Sequence, residues 1–231
     1  MQQQIEAAMA ITQSFESVVR GRRSVRGFLP RPVPRAILEQ VVALAACAPS
    51  NCNTQPWKVY IVSGQVRDRL ARDMTGAVQT GKMQPDLPYD GRYAGAYRER
   101  QHDAARQLYS AMNIARDDEG GRNAAFMRNF VFFDAPHVAF FYLPAGFGLR
   151  EAADLGMCAQ TFMLALTAKG IASCPQTALS FSAEQVRDAV GASAGEILLF
   201  GISFGYEDPT VAANGARTGR APREASFTFV G

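Results

Sequence analysis

The chain has 231 residues, a formal net charge of +3, and an ordinary balance of 48% hydrophobic and 19% charged residues. This composition predicts a globular protein with a sizeable core. The basic residues are spread along the chain, which argues against a nucleic-acid-binding protein. No apolar run is long enough to span a bilayer, and the first residues do not resemble a secretory signal.

The first third of the chain predicts helices on either side of a polar loop and a strand. Apolar residues at near-helical spacing indicate a helix over 3–20. Pro34 suits the first turn of a second helix, which stops before Pro49 and whose broad apolar face predicts that it is mostly buried. The alternating, β-branched run "WKVYIVSG" at 57–64 predicts a strand, and residues 64–78 predict another helix.

The middle of the chain predicts a loop, a helix and a strand. Residues 80–95 are rich in Gly, Pro and Tyr and predict an irregular loop. An amphipathic helix follows from Tyr97 to Met112, and "DDEGGRN" at 117–123 is expected to break it. The uniformly apolar "HVAFFYL" at 137–143 predicts a buried strand.

The last third predicts a long apolar helix, a second buried strand and an extended arm. The helix covers "LREAADLGMCAQTFMLALTAKG" and ends at Gly170. Ser182 and Gln185 occupy capping-box positions of a short helix. The run "EILLFGISFGY" is apolar on both faces and predicts a strand in the middle of the sheet. The arm, 207–231, ends in "SFTFV", which predicts a short strand.

The cysteines and histidines predict neither a metal site nor a triad. The pairs Cys47/Cys52 and Cys158/Cys174 are separated by four and fifteen residues, unlike the close pairs of structural zinc sites. With only two histidines, a Ser-His-Asp or Cys-His mechanism is poorly supported. We therefore expect reduced thiols, no metal and a cytoplasmic location.

Four arginines crowd the segment "RGRRSVRGF" at 20–28. Arginines at a helix end are usually solvated or paired with a nearby carboxylate such as Glu16. They also suit a phosphate, because guanidinium groups bind it with paired hydrogen bonds. Taken alone, "NCNTQP" at 51–56 indicates an Asx-type turn. The residues by themselves leave these alternatives open.

Five motifs, taken in their order along the chain, favour a ligand-binding role for these arginines. They are "RRSVR" at 22–26, "VPRAILEQVVALAACAPSNCNTQPWKVYIV" from Val33, "GIASCPQT" at 170–177, "GYEDP" at 205–209 and "RTGRAP" at 217–222. In this order and spacing the chain resembles the nitroreductase family over essentially its whole length, and least over 75–125. The resemblance implies a single α+β domain over 1–231, with a central, mainly antiparallel sheet surrounded by helices and an intertwined homodimer. It also implies FMN as cofactor and NAD(P)H as co-substrate.

The resemblance assigns flavin contacts residue by residue. It places Arg22, Arg23 and Ser24 at the phosphate and ribityl chain, and Arg26 at the N1–C2=O edge of the ring. Arg220 matches a basic residue that reaches the phosphate, and Arg217 could assist, although Thr218 stands where some relatives have lysine. Across the dimer interface, the implied contacts are Pro49, Ser50, Asn51 and Asn53. Backbone donors to N5 and O4 are implied in the turn Pro175, Gln176, Thr177 and Ala178, where relatives often have Glu in place of Gln176.

The implied activity is a ping-pong hydride transfer from NAD(P)H to a small flat acceptor, foremost a nitroaromatic compound, with no side chain named as general acid or base. A quinone, enone, free flavin or halogenated phenol is an alternative acceptor. Tyr93, Tyr97, Arg98 and Glu99 are either a lid over such an acceptor or ordinary helix-surface residues. A flavin-binding protein without turnover is a further alternative. The variable segment 75–125 is expected to decide the acceptor.

Overall fold

A four-stranded antiparallel sheet lies at the centre of the structure, a computed structural model that describes residues 14–231. The helices are α1 (Phe15–Gly21), α2 (Arg35–Ala45), α3 (Gly64–Gln79), α4 (Gly95–Ala111), α5 (Glu119–Met127), α6 (Leu149–Ala168) and α7 (Ala183–Val190). The strands are β1 (Lys58–Ser63), β2 (His137–Pro144), β3 (Ala172–Gln176) and β4 (Glu196–Gly205). The predicted helix over 3–20 is confirmed only in its last turns, as α1, since residues 1–13 lie outside the described part.

The strands lie in the order β1-β2-β4-β3, and all three neighbouring pairs are antiparallel. Strand β4 therefore occupies an inner position, which confirms the prediction made from its apolar character on both faces. The sequence missed β3, which is short and contains Pro175. Proline lacks an N–H and is tolerated at the edge of a sheet, where β3 lies.

The sheet buries a hydrophobic core on each face. Neighbouring residues of β2 point to opposite sides, so Phe140 belongs to one core and Phe141 to the other. The first core packs the sheet against α3, α7 and the 3-10 turns at 128–134 and 177–181. The second packs it against α2 and α6. This two-sided burial explains why the strand sequences read as continuous apolar runs.

Two predictions at helix boundaries are confirmed only in part. The helix predicted from Tyr97 does end, but already at Ala111, and most of 117–123 begins α5, because the Asp118 side chain caps that helix by accepting a 2.8 Å bond from the N–H of Gly121. The expected capping box of α7 does not form. The Ser182 hydroxyl is fully buried and has no hydrogen-bond partner among the described residues.

Two further predictions, both about apolar segments, are wrong for the residues that the structure describes. Helix α2 fully buries only Val41 and Ala45, whereas Val42 and Leu44 are 44% and 47% exposed. The predicted strand "SFTFV" is not a strand, and Phe229 is 94% exposed. Both segments carry apolar surface for which the described part of one subunit provides no covering partner.

A buried histidine joins the sheet to the segment that leads into α2. The Nε2 atom of His137 accepts a 2.9 Å hydrogen bond from the N–H of Val33, and its ring stacks on Phe204. Burial lowers the pKa of His137, so the folded protein keeps the ring neutral.

His137→Leu is expected to lower the free energy of unfolding by about 1–3 kcal/mol, because it leaves the buried N–H of Val33 without an acceptor. The contribution of His137 is complete above its unfolded pKa of about 6.5 and declines as the pH falls, since the unfolded chain then binds the proton more readily. Urea unfolding measures the free energy of unfolding of parent and variant, and the difference between them should become smaller from about pH 7 to about pH 5. A difference that is constant with pH would contradict this account.

Candidate functional site

The arginine-rich segment lies along the outer edge of β3. Ser24 forms a β-bridge with Ser173, and the N–H of Val25 donates to the Ser173 carbonyl at 3.1 Å. Because side chains alternate along an extended segment, Arg22, Ser24 and Arg26 share one side while Val25 is buried on the other. The three polar residues surround the Cys174 thiol, whose pKa burial raises to about 11 despite the nearby guanidinium groups.

Arg22 and Arg220 form a pair of like charges. Burial and, second, the charge of Arg220 lower the pKa of Arg22 from its ordinary value. Within residues 14–231, neither guanidinium forms a salt bridge. Arg220 donates only to Thr218 and the Gly219 carbonyl, 2.9–3.4 Å away. Two like charges that influence each other and form no salt bridge within residues 14–231 favour the binding of an anion, and a phosphate dianion suits guanidinium groups well.

Arg23 differs from Arg22, although the two are adjacent in sequence. Its guanidinium pairs with both carboxylate oxygens of Glu207 and donates to the Asn214 carbonyl at 3.2 Å. Arg20, at the end of α1, pairs with Glu16 at 2.7 Å on the surface. The pairing of helix-end arginines with carboxylates thus holds for Arg20 and Arg23 and does not extend to Arg22.

Asn214 organises the backbone around these arginines. Its side-chain oxygen accepts from the N–H of Arg26 at 2.6 Å, and its amide nitrogen donates to the carbonyls of Gly27 and Asp208 at 2.9 and 2.8 Å. Its own carbonyl accepts from Arg217 at 2.6 Å. Asn214 is buried, so these bonds hold the N-terminal and C-terminal parts of the cluster together.

The predicted turn Pro175–Ala178 is in part strand, because Pro175 and Gln176 end β3 and Thr177 and Ala178 begin the 3-10 turn that follows it. The Gln176 side chain is buried: its amide nitrogen donates to the backbone and side-chain oxygens of Asn129 at 3.1 Å, and its oxygen accepts from the Ser203 hydroxyl. Thr177 begins a 3-10 turn, whose first N–H groups lack acceptors inside the turn. Pro175 and Thr177 are exposed.

The second group of predicted flavin contacts, Pro49–Asn53, follows the C-terminal end of α2. The N–H of Asn51 donates to the buried Asp154 of α6 at 3.0 Å, and the Ser50 hydroxyl accepts from the N–H of Gln55 at 2.9 Å. Asn53 has a left-handed backbone, which asparagine tolerates well. No hydrogen bond within residues 14–231 joins this group to the arginine cluster.

Comparison with known proteins decides the family. The profile described as "Nitroreductase family" matches residues 19–206. The chain belongs to the nitroreductase family. It is 46% identical over 215 residues to nitroreductase NfnB of Mycolicibacterium smegmatis, covering 91% of this chain and 90% of that protein.

A solved structure and a second relative agree with that assignment. The structure of the FMN-dependent nitroreductase NfnB from Mycobacterium smegmatis in complex with NADPH has a TM-score of 0.89 and 45% identity, covering 93% of this nitroreductase and 97% of that chain. A 4-nitrobenzoate reductase of Pseudomonas putida is 31% identical over 223 residues, covering 96% of this chain and 97% of that protein. These likenesses confirm the predicted α+β fold with its antiparallel sheet.

The structure places two further residues of this nitroreductase in the cluster that the sequence did not indicate. Arg128 donates to the Arg26 carbonyl at 3.4 Å and to Asp134 at 2.9 Å, while its Nε is buried without a partner among the described residues. Asn129 holds the Gln176 side chain. Both residues stand in the run 128–134, where left-handed backbone at Phe132 and Phe133 turns the chain sharply. No motif in the sequence marks that turn.

The segment 75–125, which was predicted to decide the acceptor, is mostly exposed in this nitroreductase. Tyr93 precedes α4, and Tyr97, Arg98 and Glu99 lie in its first turns with exposed side chains. The C-terminal end of α4 packs against the 3-10 turn at 212–215, which includes Asn214. Of the two alternatives for these four residues, the structure favours helix-surface residues within the subunit.

Within 14–231, no cluster of three or more His, Cys, Asp or Glu side chains is arranged to hold a metal ion. In that part of the chain, no helix has both the length and the apolar character needed to cross a membrane. None of the four cysteines forms a disulfide bond, and Cys47 and Cys52 are exposed.

Proposed function

We propose that this nitroreductase binds FMN and catalyses ping-pong reduction of nitroaromatic compounds by NADPH. The observation that carries the proposal is the unneutralised Arg22–Arg220 pair beside Ser24 and Arg26, which fits the phosphate of FMN. Two relatives support the chemistry by name, one an FMN-dependent nitroreductase in complex with NADPH and the other a 4-nitrobenzoate reductase.

The residues of the cluster have different tasks toward the cofactor. Arg22, Arg220 and Ser24 bind the phosphate and ribityl chain, and Arg23 and Arg217 order the loops around them through Glu207 and Asn214. Arg26 would lie at the N1–C2=O edge of the flavin ring, and the segment Pro175–Ala178 would offer backbone N–H groups to N5 and O4. When bound, FMN supplies the two-electron chemistry, taking hydride from NADPH and passing it to the acceptor.

No side chain of the cluster is assigned as a general acid or base. Its cations are arginines, which keep their protons. The Cys174 thiol also keeps its proton at neutral pH, because burial raises its pKa to about 11. The protein therefore contributes binding, orientation and electrostatic field, and protons come from water.

The proposed active form is a two-fold dimer, since each subunit carries apolar surface that a second copy would cover. A groove of about 450 Å³ runs between α2, β1 and α6, and its apolar lining includes Val42, Trp57, Phe141 and Phe162. Within the described residues, no strand pairs with the outer edge of β1. The partner's loop Pro49, Ser50, Asn51 and Asn53 completes each flavin site in this proposal, because that loop and the arginines are separate within one subunit.

The arm 207–231 reaches the partner in this proposal, because its last residues are too apolar for solvent. Phe227, Phe229 and Val230 are all largely exposed in the subunit. Phe229→Ser is expected to weaken dimer association by about 10- to 100-fold, since burying a phenylalanine side chain contributes about 1.5–3 kcal/mol. Sedimentation over a dilution series measures this, with Thr228→Ser as the control. A folded, FMN-loaded monomer of the parent protein would contradict the dimer.

We further propose that the enzyme works in the cytoplasm. Four unbonded thiols, two of them exposed, suit a reducing compartment, and NADPH is supplied there. The exposed thiols at Cys47 and Cys52 are the ones that an oxidising compartment would modify first.

The function is tested by purification followed by an acceptor panel. The protein should purify yellow and release FMN on denaturation. It should oxidise NADPH faster with 4-nitrobenzoate and nitrobenzene than with quinones or enones, and NADH provides the comparison donor. A colourless protein that takes up no added FMN would refute the proposal. Higher rates with quinones or enones would favour the alternative acceptors.

A further inference from the structure

The loop 80–94, between α3 and α4, is fastened to the body of the subunit at Asp86. One terminal nitrogen of Arg187, on α7, lies 2.7 and 2.8 Å from the two carboxylate oxygens of Asp86. One of those oxygens also accepts a 2.8 Å bond from the N–H of Leu198 on β4. The Asp86 side chain is only 18% exposed, whereas Pro85 and Leu87 beside it are exposed.

Arg187 connects this contact to the end of the sheet. The same guanidinium nitrogen donates to the Glu196 carbonyl at 3.3 Å, so α7, the start of β4 and the loop meet at one point. Charge-assisted bonds in a partly buried place are stronger than exposed ion pairs, and losing one partner leaves the others unsatisfied. Removing the Asp86 carboxylate would leave Arg187 with only the Glu196 carbonyl and would take away the Asp86 acceptor of the Leu198 N–H.

Two weaker contacts hold the loop to the same region. The N–H of Gln84 donates to the Phe181 carbonyl at 2.8 Å, and the ring of Tyr89 lies 5.4 Å from that of Phe181. Phe181 ends the 3-10 turn that begins at Thr177, in the turn assigned to the flavin ring. The loop and the flavin-facing turn are therefore connected through a few short contacts.

We propose that Asp86 is a positioning residue for the acceptor, fixing the loop 80–94 beside the turn at 177–181. This inference rests on the proposed function, because it assigns the loop to the acceptor side of the same site. Asp86 touches neither cofactor nor reacting atoms in the proposal. It acts through Arg187 and Leu198, so its loss should raise the acceptor KM while FMN affinity and kcat stay close to the parent's.

The test compares Asp86→Asn with Asp90→Asn in the FMN-loaded enzyme. Asp90 lies in the same loop, is exposed, and accepts a local bond from the N–H of Arg92, so its variant makes the same charge change without releasing the loop. Hydrogen–deuterium exchange is expected to be at least about tenfold faster at the amides of Gln84 and Leu198 in Asp86→Asn, and unchanged in Asp90→Asn. The KM for 4-nitrobenzoate should rise by at least about fivefold in Asp86→Asn only.

Three further variants and the FMN dissociation constant complete the test. Arg187→Gln should reproduce the faster exchange. The double variant should exchange little faster than either single variant, because both substitutions break the same contact. Asp86→Glu keeps the charge and should lie between parent and Asp86→Asn, which gives a second variant if the first folds poorly. The FMN dissociation constant should stay within about twofold of the parent's.

Exchange equal to that of Asp90→Asn would overturn the proposal. Faster exchange with an unchanged acceptor KM would overturn it as well, because the loop would then be fastened without serving the acceptor. A parent enzyme that reduces no nitroaromatic compound would instead refute the proposed function, and the exchange comparison would still report whether Asp86 holds the loop.

Discussion

FMN is expected to bind Arg22→Gln about 10- to 100-fold more weakly than the parent protein, since a hydrogen bond to a charged group contributes about 1.5–3 kcal/mol. Arg22 is held by the bridge between Ser24 and Ser173, and its side chain has no carboxylate partner within residues 14–231. Its charge is therefore available to the phosphate, and glutamine keeps a donor while removing that charge.

The same substitution should leave the apoprotein as stable as the parent, or more stable. Burial and the neighbouring Arg220 both lower the pKa of Arg22, so both disfavour its charged form. Removing the charge relieves that repulsion. Weaker FMN binding without a lower melting temperature separates loss of a ligand contact from general damage to the fold.

Fluorescence titration of the apoprotein with FMN measures the effect, and thermal unfolding without FMN measures stability. Arg20→Gln is the matched control, because Arg20 lies two residues away and pairs with Glu16 on the surface. It should bind FMN within about twofold of the parent. Parent-like FMN binding by Arg22→Gln would remove Arg22 from the phosphate site.

Arg26→Gln is expected to lower the two-electron reduction potential of bound FMN by about 20–60 mV, because about 1.4 kcal/mol corresponds to about 30 mV for such a couple. Reduction at neutral pH leaves negative charge at the N1–C2=O edge. A guanidinium about 4 Å from a unit charge contributes at most about 4 kcal/mol at an effective dielectric near 20. Desolvation and other donors reduce the net stabilisation to about 1–3 kcal/mol.

Hydrogen bonds hold the backbone of Arg26 in place and leave its guanidinium group available to a ligand. Its N–H donates to Asn214 and its carbonyl accepts from Arg128, whereas within residues 14–231 its guanidinium donates only to the Ser24 carbonyl, at 3.5 Å. A dye-equilibrated redox titration measures the potential. Arg22→Gln is the control and should leave the potential nearly unchanged. A potential within error of the parent's would make Arg26 a phosphate or surface arginine.

Local pattern predicted the elements of this fold well where one chain supplies all the contacts. Strands β1, β2 and β4 and helix α6 follow directly from alternation or from continuous apolar character. The start of α5 was missed because Asp118 caps it with its own side chain, which outweighs two glycines in the first turn. Strand β3 was missed because its register with β4, rather than its own composition, makes it a strand.

The residues of the candidate site could likewise be predicted only where a local motif marks them. The arginines were visible as a motif, yet the sequence could not show that Arg23 pairs with Glu207 while Arg22 has no carboxylate partner in the part of the chain that the structure describes. That difference arises from residues about 180 positions apart in sequence. Asn214, Arg128 and Asn129 carry no local signal, because their roles depend on where the chain returns to the cluster. The expected burial of α2 was wrong for the described residues, because Val42 and Leu44 are exposed and no other part of residues 14–231 covers them.

The most direct test of the proposed function is anaerobic single-turnover mixing of the purified protein. NADPH should bleach the flavin absorbance rapidly, and 4-nitrobenzoate added after the NADPH is consumed should restore it. Restoration in this second step, with no NADPH present, is the signature of a ping-pong reductase. A flavin that NADPH does not bleach would identify a binding protein without turnover. A bleached flavin that nitroaromatic compounds leave bleached would show that the acceptor belongs to another class.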